Sequence, residues 1–314
     1  MSTMPVEIST VRNLVDEVPS FPESPDAKVS RILFFPDQPG RQGEGGLRMQ
    51  GKFKKPMPEK PLVSILTVVF NGAQYLEQTI LSVLKQDYEN IEFIVIDGGS
   101  TDGTLDILRK YENAIDYWIS EPDRGISDAF NKAVQLSAGD YLNFQGAGDL
   151  LVGGDAVSRM MEGVDAQRDM LISGRVQRIR EHDPNEVLWV APRRFSPSFN
   201  KRTLLFRMSL PHQGLLTNWR MFERYGLFDT DNVFSMDYEH LLRAYNEFPS
   251  VVMRDVIFSA WREGGIGLGR YAEILREYSK IKKKNKVAPT VVLELIGVWS
   301  YFKLLARTIL GKKD

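Results

Sequence analysis

Val63-Ser64-Ile65-Leu66-Thr67-Val68-Val69-Phe70-Asn71-Gly72 decides how this chain is read. An apolar run stops abruptly at a small polar turn. The pattern returns at Ile91-Glu92-Phe93-Ile94-Val95-Ile96-Asp97, which passes into Gly98-Gly99-Ser100-Thr101-Asp102-Gly103-Thr104. It returns again at Tyr141-Leu142-Asn143-Phe144, leading through Gln145-Gly146-Ala147-Gly148 to Asp149. In an open parallel sheet such turns share one edge, and that edge is where nucleotides bind.

The segments between these runs have helical spacing. Tyr75, Leu76, Ile80, Leu81 and Leu84 follow the first strand; Leu105, Ile107 and Leu108 follow Thr101-Asp102, which supply a cap and a first-turn acid. A further strand is expected over residues 114–119 and a helix over 125–136, closing at Ala138-Gly139. Parallel strands need such crossovers, which are nearly always right-handed. The expected fold is α/β, with a doubly wound, mixed and mostly parallel sheet and flanking helices. After Asp149 the periodicity loosens. Helices are expected at 155–162, 218–225 and 237–245, and strands at 170–179, 186–190 and 251–260.

With 314 residues, 43% of them hydrophobic, the chain can bury one large core or two modest ones. A formal net charge of −1 gives no reason to expect nucleic acid as a partner. The absence of cysteine removes disulfides, zinc-thiolate sites and thiol nucleophiles, and fits a reducing compartment. No basic region followed by an apolar core marks a secretory signal, so a cytoplasmic setting is expected. Residues 1–60 read as a poorly ordered extension, with prolines at 5, 19, 22, 25, 36, 39, 56 and 58 and a linker-like Gly43-Glu44-Gly45-Gly46. Val29 to Phe35 is an apolar island able to dock as an edge strand.

Asp97, at the end of a buried strand and before two glycines, can bond a base or ribose, or can cap the next helix as Asp102 can. A dinucleotide coenzyme is disfavoured because the first strand is not followed by G-x-G-x-x-G. Gly265-x-Gly267-x-Gly269 has the wrong spacing for one. His182 and His240 have no metal-ligand spacing.

Thr67-Val68-Val69-Phe70-Asn71, the run Ile96 to Thr104, and Glu121-Pro122-Asp123-Arg124-Gly125-Ile126-x-Asp128-Ala129-x-Asn131-Lys132 together resemble family 2 glycosyltransferases over roughly residues 62–265. The resemblance implies a GT-A fold and an inverting enzyme that uses a nucleotide-diphosphate sugar, most simply a UDP-sugar. It implies a nucleotide-sugar-binding half over 61–150 and an acceptor and catalytic half over 151–268. On the same ground Phe70, Asn71 and Asp97 would hold the base and Ser100 would lie along the ribose. Gly125, Asp128 and Lys132 would line the donor floor; Asp128 and Lys132 also stand at i and i+4, so a surface ion pair is the alternative.

Gly148-Asp149 falls on the segment that carries the family's D-x-D signature, where Mg2+ or Mn2+ bridges the two phosphates. Here it reads Gly146-Ala147-Gly148-Asp149, which leaves Asp149 as the lone metal-ligating acid. A metal-independent site is the other option. An inverting transfer needs a carboxylate base. Phe234-Ser235-Met236-Asp237-Tyr238-Glu239-His240 resembles the family's E-D motif with Asp237 on its aspartate, and Glu239 is the second candidate, toward acceptor or phosphate. Capping of the following helix is the plain structural role for Asp237. His212, in Pro211-His212-Gln213-Gly214, could donate to the diphosphate or the acceptor, or be structural. Trp261-Arg262-Glu263-Gly264-Gly265 could form a flap over the acceptor groove.

Residues 269–314 read as a helical tail. Lys280-Ile281-Lys282-Lys283-Lys284-Asn285-Lys286 precedes an apolar segment, Val291 to Leu310, with Trp299, Tyr301, Phe302, Lys303 and Arg307 inside it and Lys312-Lys313 beyond. An amphipathic helix on an anionic membrane surface, at the inner face of the cytoplasmic membrane, suits this composition; docking on the catalytic domain is the alternative. A glycan or lipid-linked acceptor in surface-polysaccharide synthesis would account for such a tail. Two rivals stand: a non-catalytic sugar- or nucleotide-binding paralogue, suggested by Gly146 and Gly148, and a nucleotidyltransferase, which would want a glycine-rich basic loop where Asn71-Gly72-Ala73-Gln74 stands. Sugar, linkage and oligomeric state have no signal in the chain.

Overall fold

The structure, a computed structural model, describes residues 8–21, 24–265, 267 and 269–309. A short strand β1 (Gly43–Gly45) precedes the alternation β2 (Val63–Val69), α1 (Ala73–Leu84), β3 (Ile91–Asp97), α2 (Thr104–Lys110), β4 (Tyr117–Ser120), α3 (Ile126–Leu136) and β5 (Tyr141–Gly146). The second half adds β6 (Leu150–Leu151), α4 (Ala156–Met161), β7 (Leu171–Ile179), β8 (Val187–Ala191), β9 (Leu215–Asn218), α5 (Arg220–Tyr225), α6 (Met236–Arg243) and β10 (Val251–Arg262). Helices α7 (Tyr271–Lys284) and α8 (Thr290–Ile309) follow. The strand expected from residue 114 starts only at Tyr117, because Ala114 and Ile115 donate back to the Tyr111 carbonyl and close the turn after α2.

One ten-stranded sheet runs in the order β1-β4-β3-β2-β5-β9-β7-β10-β6, with β8 paired to β7. β4, β3, β2 and β5 are parallel neighbours. β9 lies antiparallel to both β5 and β7, so β7 and its parallel partner β10 point the same way as the central strands. Every residue of β2 and β3 is buried, as parallel strands covered on both faces should be. Chain order reverses between β2 and β5, and helices cover both faces. Leu76, Ile80, Val83 and Leu108 pack with Phe93 and Val95 on one face, while Phe130, Ala133 and Val134 pack with Ile94, Ile96 and Phe144 on the other. This is the expected doubly wound arrangement, and its switch point lies where Asn71 and Asp149 end their strands.

Residues 8–60 do not form a loose extension. Gly43-Glu44-Gly45, read from composition as a linker, is the edge strand, antiparallel to β4. Its glycines permit close approach: a Cβ on Gly45 would lie 2.6 Å from the Trp118 indole nitrogen. The Val29–Phe35 island makes no strand; it crosses the domain, with Ile32 donating to the Gln135 carbonyl and Arg31 to those of Ala138 and Gly139. Arg48 reaches inward to Glu92 at 2.6 Å, both side chains almost fully buried. Buried charges persist when paired and hydrogen-bonded, and Glu92 also accepts from Ser64 and from the Ala138 amide. Residues 1–7 of the extension lie outside the described residues.

The tail both docks and exposes a face. Leu293 and Ile296 are buried, Leu293 against Tyr278, Ile281 and Val287. Val291, Leu295, Val298, Trp299, Phe302 and Leu305 are exposed. Among the described residues no helix is long and apolar enough to cross a membrane. Part of the lysine run is engaged by the protein: Lys282 turns inward to the Leu205 carbonyl, while Lys283 pairs with Glu294 and Lys284 with Asp229 at the surface. Lys312, Lys313 and the Arg307 side chain lie outside the described residues.

Candidate active site

The turns after β2 and β3 are stitched together. Asn71 adopts φ 50°, its amide donates to Ser100 Oγ at 2.7 Å, and its side-chain oxygen accepts from the Thr101 amide at 2.9 Å. The Gly72 and Ala73 amides donate to Thr104 Oγ1 and Asp102 Oδ2. Asp97 organises this seam from beneath. Its carboxylate accepts from the Ser100 amide at 3.0 Å, from Ser120 Oγ at 2.6 Å and from Ser100 Oγ, and it is wholly shielded from solvent. Asp97 and Ser100 therefore reach the expected edge but face inward, because three donors from two strand ends converge on one carboxylate. Phe70 points the other way and is 66% exposed.

The next strand end places a half-buried carboxylate beside Phe70. Asp123 Oδ1 accepts from the Gly125 amide at 2.8 Å, where Gly125 at φ 106° leads into α3. Asp128 turns back to accept from the Arg124 amide and guanidinium. Lys132 does not pair with Asp128; it runs inward to Glu121 at 2.8 Å, which also binds Arg41 at 3.0 Å. The Asp128–Lys132 surface pair, the alternative reading of these residues, is thus absent among the described residues, with Arg124–Asp128 outside and a buried Arg41–Glu121–Lys132 bridge beneath.

At the switch point the chain after β5 folds tightly. Asp149 Oδ2 accepts from the Gly146 amide at 2.8 Å, and the Gly148 amide, at φ 108°, donates to Thr79 Oγ1. Burial pushes the Asp149 carboxyl up to about 6, against bonds from Gly146 and Gln213 and the charge of Arg262. Arg262, read from the sequence only as part of a flap over the acceptor groove, ends the last strand of the sheet. β10 runs beside β6, so the strand end delivers this guanidinium to the Gly148-Asp149 turn. It lies over the Tyr75 ring at 4.5 Å and donates to the Glu181 carbonyl and to Gln78, while its buried Nε has no partner among the described residues. A Cβ on Gly148 would come within 3.3 Å of Arg262 Cδ, so glycine at this position makes room for the arginine.

The Pro211–Gly214 turn joins this corner to α6. Gln213 stands close enough to Asp149 to favour its ionised form, and its carbonyl accepts from Asn143 and Gln145. His212 stacks on Phe144 with ring centroids 4.8 Å apart and meets Phe130 and Phe228 edge-on. Burial lowers its pKa, the Asp237 charge opposing, and its Nε2 has no partner among the described residues. Asp237 is half-buried at the head of α6; its Oδ1 accepts from the Tyr238 amide at 2.8 Å, and it lines one small cavity with His212 and His240. Glu239 turns away from the edge. It is fully buried and bonds Arg243 at 2.6 Å and Asn285, tying α6 to the segment after α7. It is therefore a structural residue, with no oxygen free for acceptor or phosphate.

Residues 64–228 match the model of glycosyl transferase family 2, more than half of the chain. The chain belongs to this family. An uncharacterized glycosyltransferase of Mycobacterium tuberculosis is 32% identical over 203 residues, which is 64% of this chain and 75% of the relative. A PGL/p-HBAD biosynthesis glycosyltransferase of the same organism is 26% identical over 266 residues, 79% of this chain and 94% of the relative. Two solved structures share the fold at low identity. Staphylococcus aureus TarS 1–349 in complex with UDP-GlcNAc aligns with TM-score 0.60 at 15% identity, over 79% of this chain and 74% of that one. The mannosyltransferase PcManGT of Pyrobaculum calidifontis, in complex with GDP-Man and Mn2+, aligns with TM-score 0.54 at 18% identity, over 83% and 79%. The family 2 glycosyltransferase has the GT-A fold, as the strand-end motifs imply.

Proposed function

We propose that this glycosyltransferase moves a hexose from a UDP-sugar to a glycan or lipid-linked acceptor, inverting the anomeric centre, in the synthesis of a surface polysaccharide or glycolipid. The observation that carries the reading is the Pro211–Gly214 turn. Gln213 stands beside Asp149 and favours its ionised form, while the adjacent His212 lines one cavity with Asp237, so the two acids flank the same four-residue turn. The biosynthetic name of the mycobacterial relative and the UDP-GlcNAc bound to TarS support the substrate class.

Asp237 acts as the base. Its carboxylate takes the acceptor hydroxyl proton as that oxygen bonds the anomeric carbon, and the bond from that carbon to the β-phosphate breaks with its electron pair. Phe70, Asn71 and the Gly125 turn frame the nucleotide, with Asp97 and Ser100 holding their backbone from below. Lys132 and Asp128 shape the floor. A donor-borne magnesium or manganese ion asks a protein for only one or two carboxylates, the phosphates and water supplying the rest. Asp149 offers one, and Gly146 and Gly148 add no side-chain oxygen, so the residues fit an ion held chiefly by the donor. Such an ion neutralises charge on the departing diphosphate. Arg262 supplies the protein's own cation there.

The exposed stripe on α8 recurs at residues 291, 295, 298, 302 and 305, one face of a helix. With Lys303 over the Trp299 ring at 5.0 Å, it suits the interfacial plane of an anionic membrane and a lipid-linked acceptor there. On this reading the enzyme works at the inner face of the cytoplasmic membrane.

Asp237→Asn tests the core of the proposal. Transfer should fall by roughly 100-fold or more, while UDP affinity measured by calorimetry stays within about two-fold. Undiminished turnover in Asp237→Asn and Asp237→Ala would remove the base assignment.

A further inference from the structure

Asp97, the acid expected to hold the base, has no route to a ligand: three donors fill it and no solvent reaches it. The opening beside it is served by another acid. A Cβ built on Gly98 would lie 2.5 Å from Asp123 Oδ2 and 3.4 Å from Phe70 Cδ2. The space a side chain at position 98 would fill is thus taken by the Asp123 carboxylate, delivered from the end of the neighbouring strand. Its Oδ1 is engaged by the Gly125 amide, and no donor among the described residues bonds Oδ2. Beside that oxygen stands an aromatic ring left largely in water. Burial pushes the Asp123 carboxyl upward, opposed by the Gly125 bond and Lys132, with Asp128 and Asp97 adding to the rise. An acceptor with unmet capacity beside an exposed aromatic face is the pairing a stacked nucleobase needs.

We infer that Phe70 and Asp123 together form the base-reading slot, with Asp123 Oδ2 accepting a ring N–H from a base stacked on Phe70. This rests on the proposed use of a nucleoside-diphosphate sugar and adds the base selectivity. Uracil presents N3–H to such an acceptor. Cytosine presents a bare N3 lone pair, which the carboxylate repels. Gly98 belongs to the device, since any side chain there would displace the oxygen that does the reading. Asp97 is a positioning residue, holding the seam on which the slot is built.

The test is calorimetric titration of the full chain with UDP and CDP, with and without Mn2+. Wild type should prefer UDP by roughly ten-fold or more, and Asp123→Ala should lose roughly 10- to 100-fold in UDP affinity while CDP affinity rises. Asp123→Asn, whose amide can offer either an acceptor or a donor, should bring the two ligands within about three-fold. Phe70→Leu should weaken both ligands alike, and melting temperatures of all variants establish that the fold is kept. Equal binding of UDP and CDP by wild type, or undiminished UDP affinity in a folded Asp123→Ala, overturns the inference while leaving donor use intact. Absence of any nucleoside-diphosphate binding by wild type would instead overturn the proposed function.

Discussion

Replacing Asp149 with asparagine should make the enzyme more stable at neutral pH and less active. The carboxyl is nine-tenths buried, and burial raises it from 3.8 to about 6. The sign follows from that direction. The folded state favours the protonated acid, so this contribution is fully present below pH 3.8 and is lost as pH rises through about 6. Near pH 7 the fold carries the cost of a buried charge. Two units correspond to about 3 kcal/mol at 1.36 kcal/mol per unit. Asparagine keeps the volume and an oxygen for the Gly146 amide, so it should recover most of that cost. At roughly 2 °C per kcal/mol for a chain of this size, Asp149→Asn should melt about 5 °C above wild type at pH 7.5. The gap should shrink to about 2 °C near pH 4.5, where the folded carboxyl is neutral. Scanning fluorimetry across this range, without donor or divalent ion, reads both numbers. A variant that melts at or below wild type at pH 7.5, or a gap independent of pH, would refute the reasoning. Its transfer rate should fall, since the acid is kept at a stability cost for its place beside the diphosphate.

Arg262→Gln should weaken UDP binding by roughly ten-fold, the scale of one charge-assisted hydrogen bond, and the loss should persist in EDTA; calorimetry with and without Mn2+ measures it. Arg48→Met should cost about 3–5 kcal/mol by stranding Glu92, and Arg48→Met with Glu92→Gln should recover much of it in urea melts. Trp299→Ser with Phe302→Ser should reduce cosedimentation with anionic vesicles several-fold and leave UDP affinity unchanged; equal binding to vesicles would remove the membrane surface from α8.

The strand-end motifs were readable in the sequence because parallel strands buried on both faces leave continuous apolar runs, and each run ends where a ligand can sit. Periodicity placed α1 to α3, and the Gly146–Asp149 departure from an acid-rich turn was visible before any geometry. Two things were not. Gly43-Glu44-Gly45 reads as a linker because composition cannot distinguish glycine needed for freedom from glycine needed for contact, and only the Trp118 indole 2.6 Å from a Cβ on Gly45 tells them apart. The direction of a strand-end carboxylate was equally hidden. Asp97 and Asp123 both follow apolar runs that end at this edge, but Ser100 and Ser120 supply donors to the first from separate turns, and nothing local in sequence reports their convergence.

The same limit applies to Arg262, and it changes how Gly148 is understood. In the sequence, Gly146 and Gly148 look like losses, an acid-rich turn worn down to one carboxylate. In the structure Gly148 adopts φ 108° and lies against Arg262 Cδ, so a side chain there would be strained by the backbone and crowded by the arginine. A cation delivered from β10 thus stands beside the turn where the missing acids would have gathered one. A diphosphate leaving group needs positive charge near its oxygens, and either an ion held by carboxylates or a fixed guanidinium provides it. The two sources differ in what they favour at residue 148: an ion rewards acids there, whereas a guanidinium packed against the turn leaves little room for them. Glycine at 148, with Asp149 retained and the Arg262 Nε without a partner among the described residues, suits the proposed sharing of this task between a donor-borne ion and the protein.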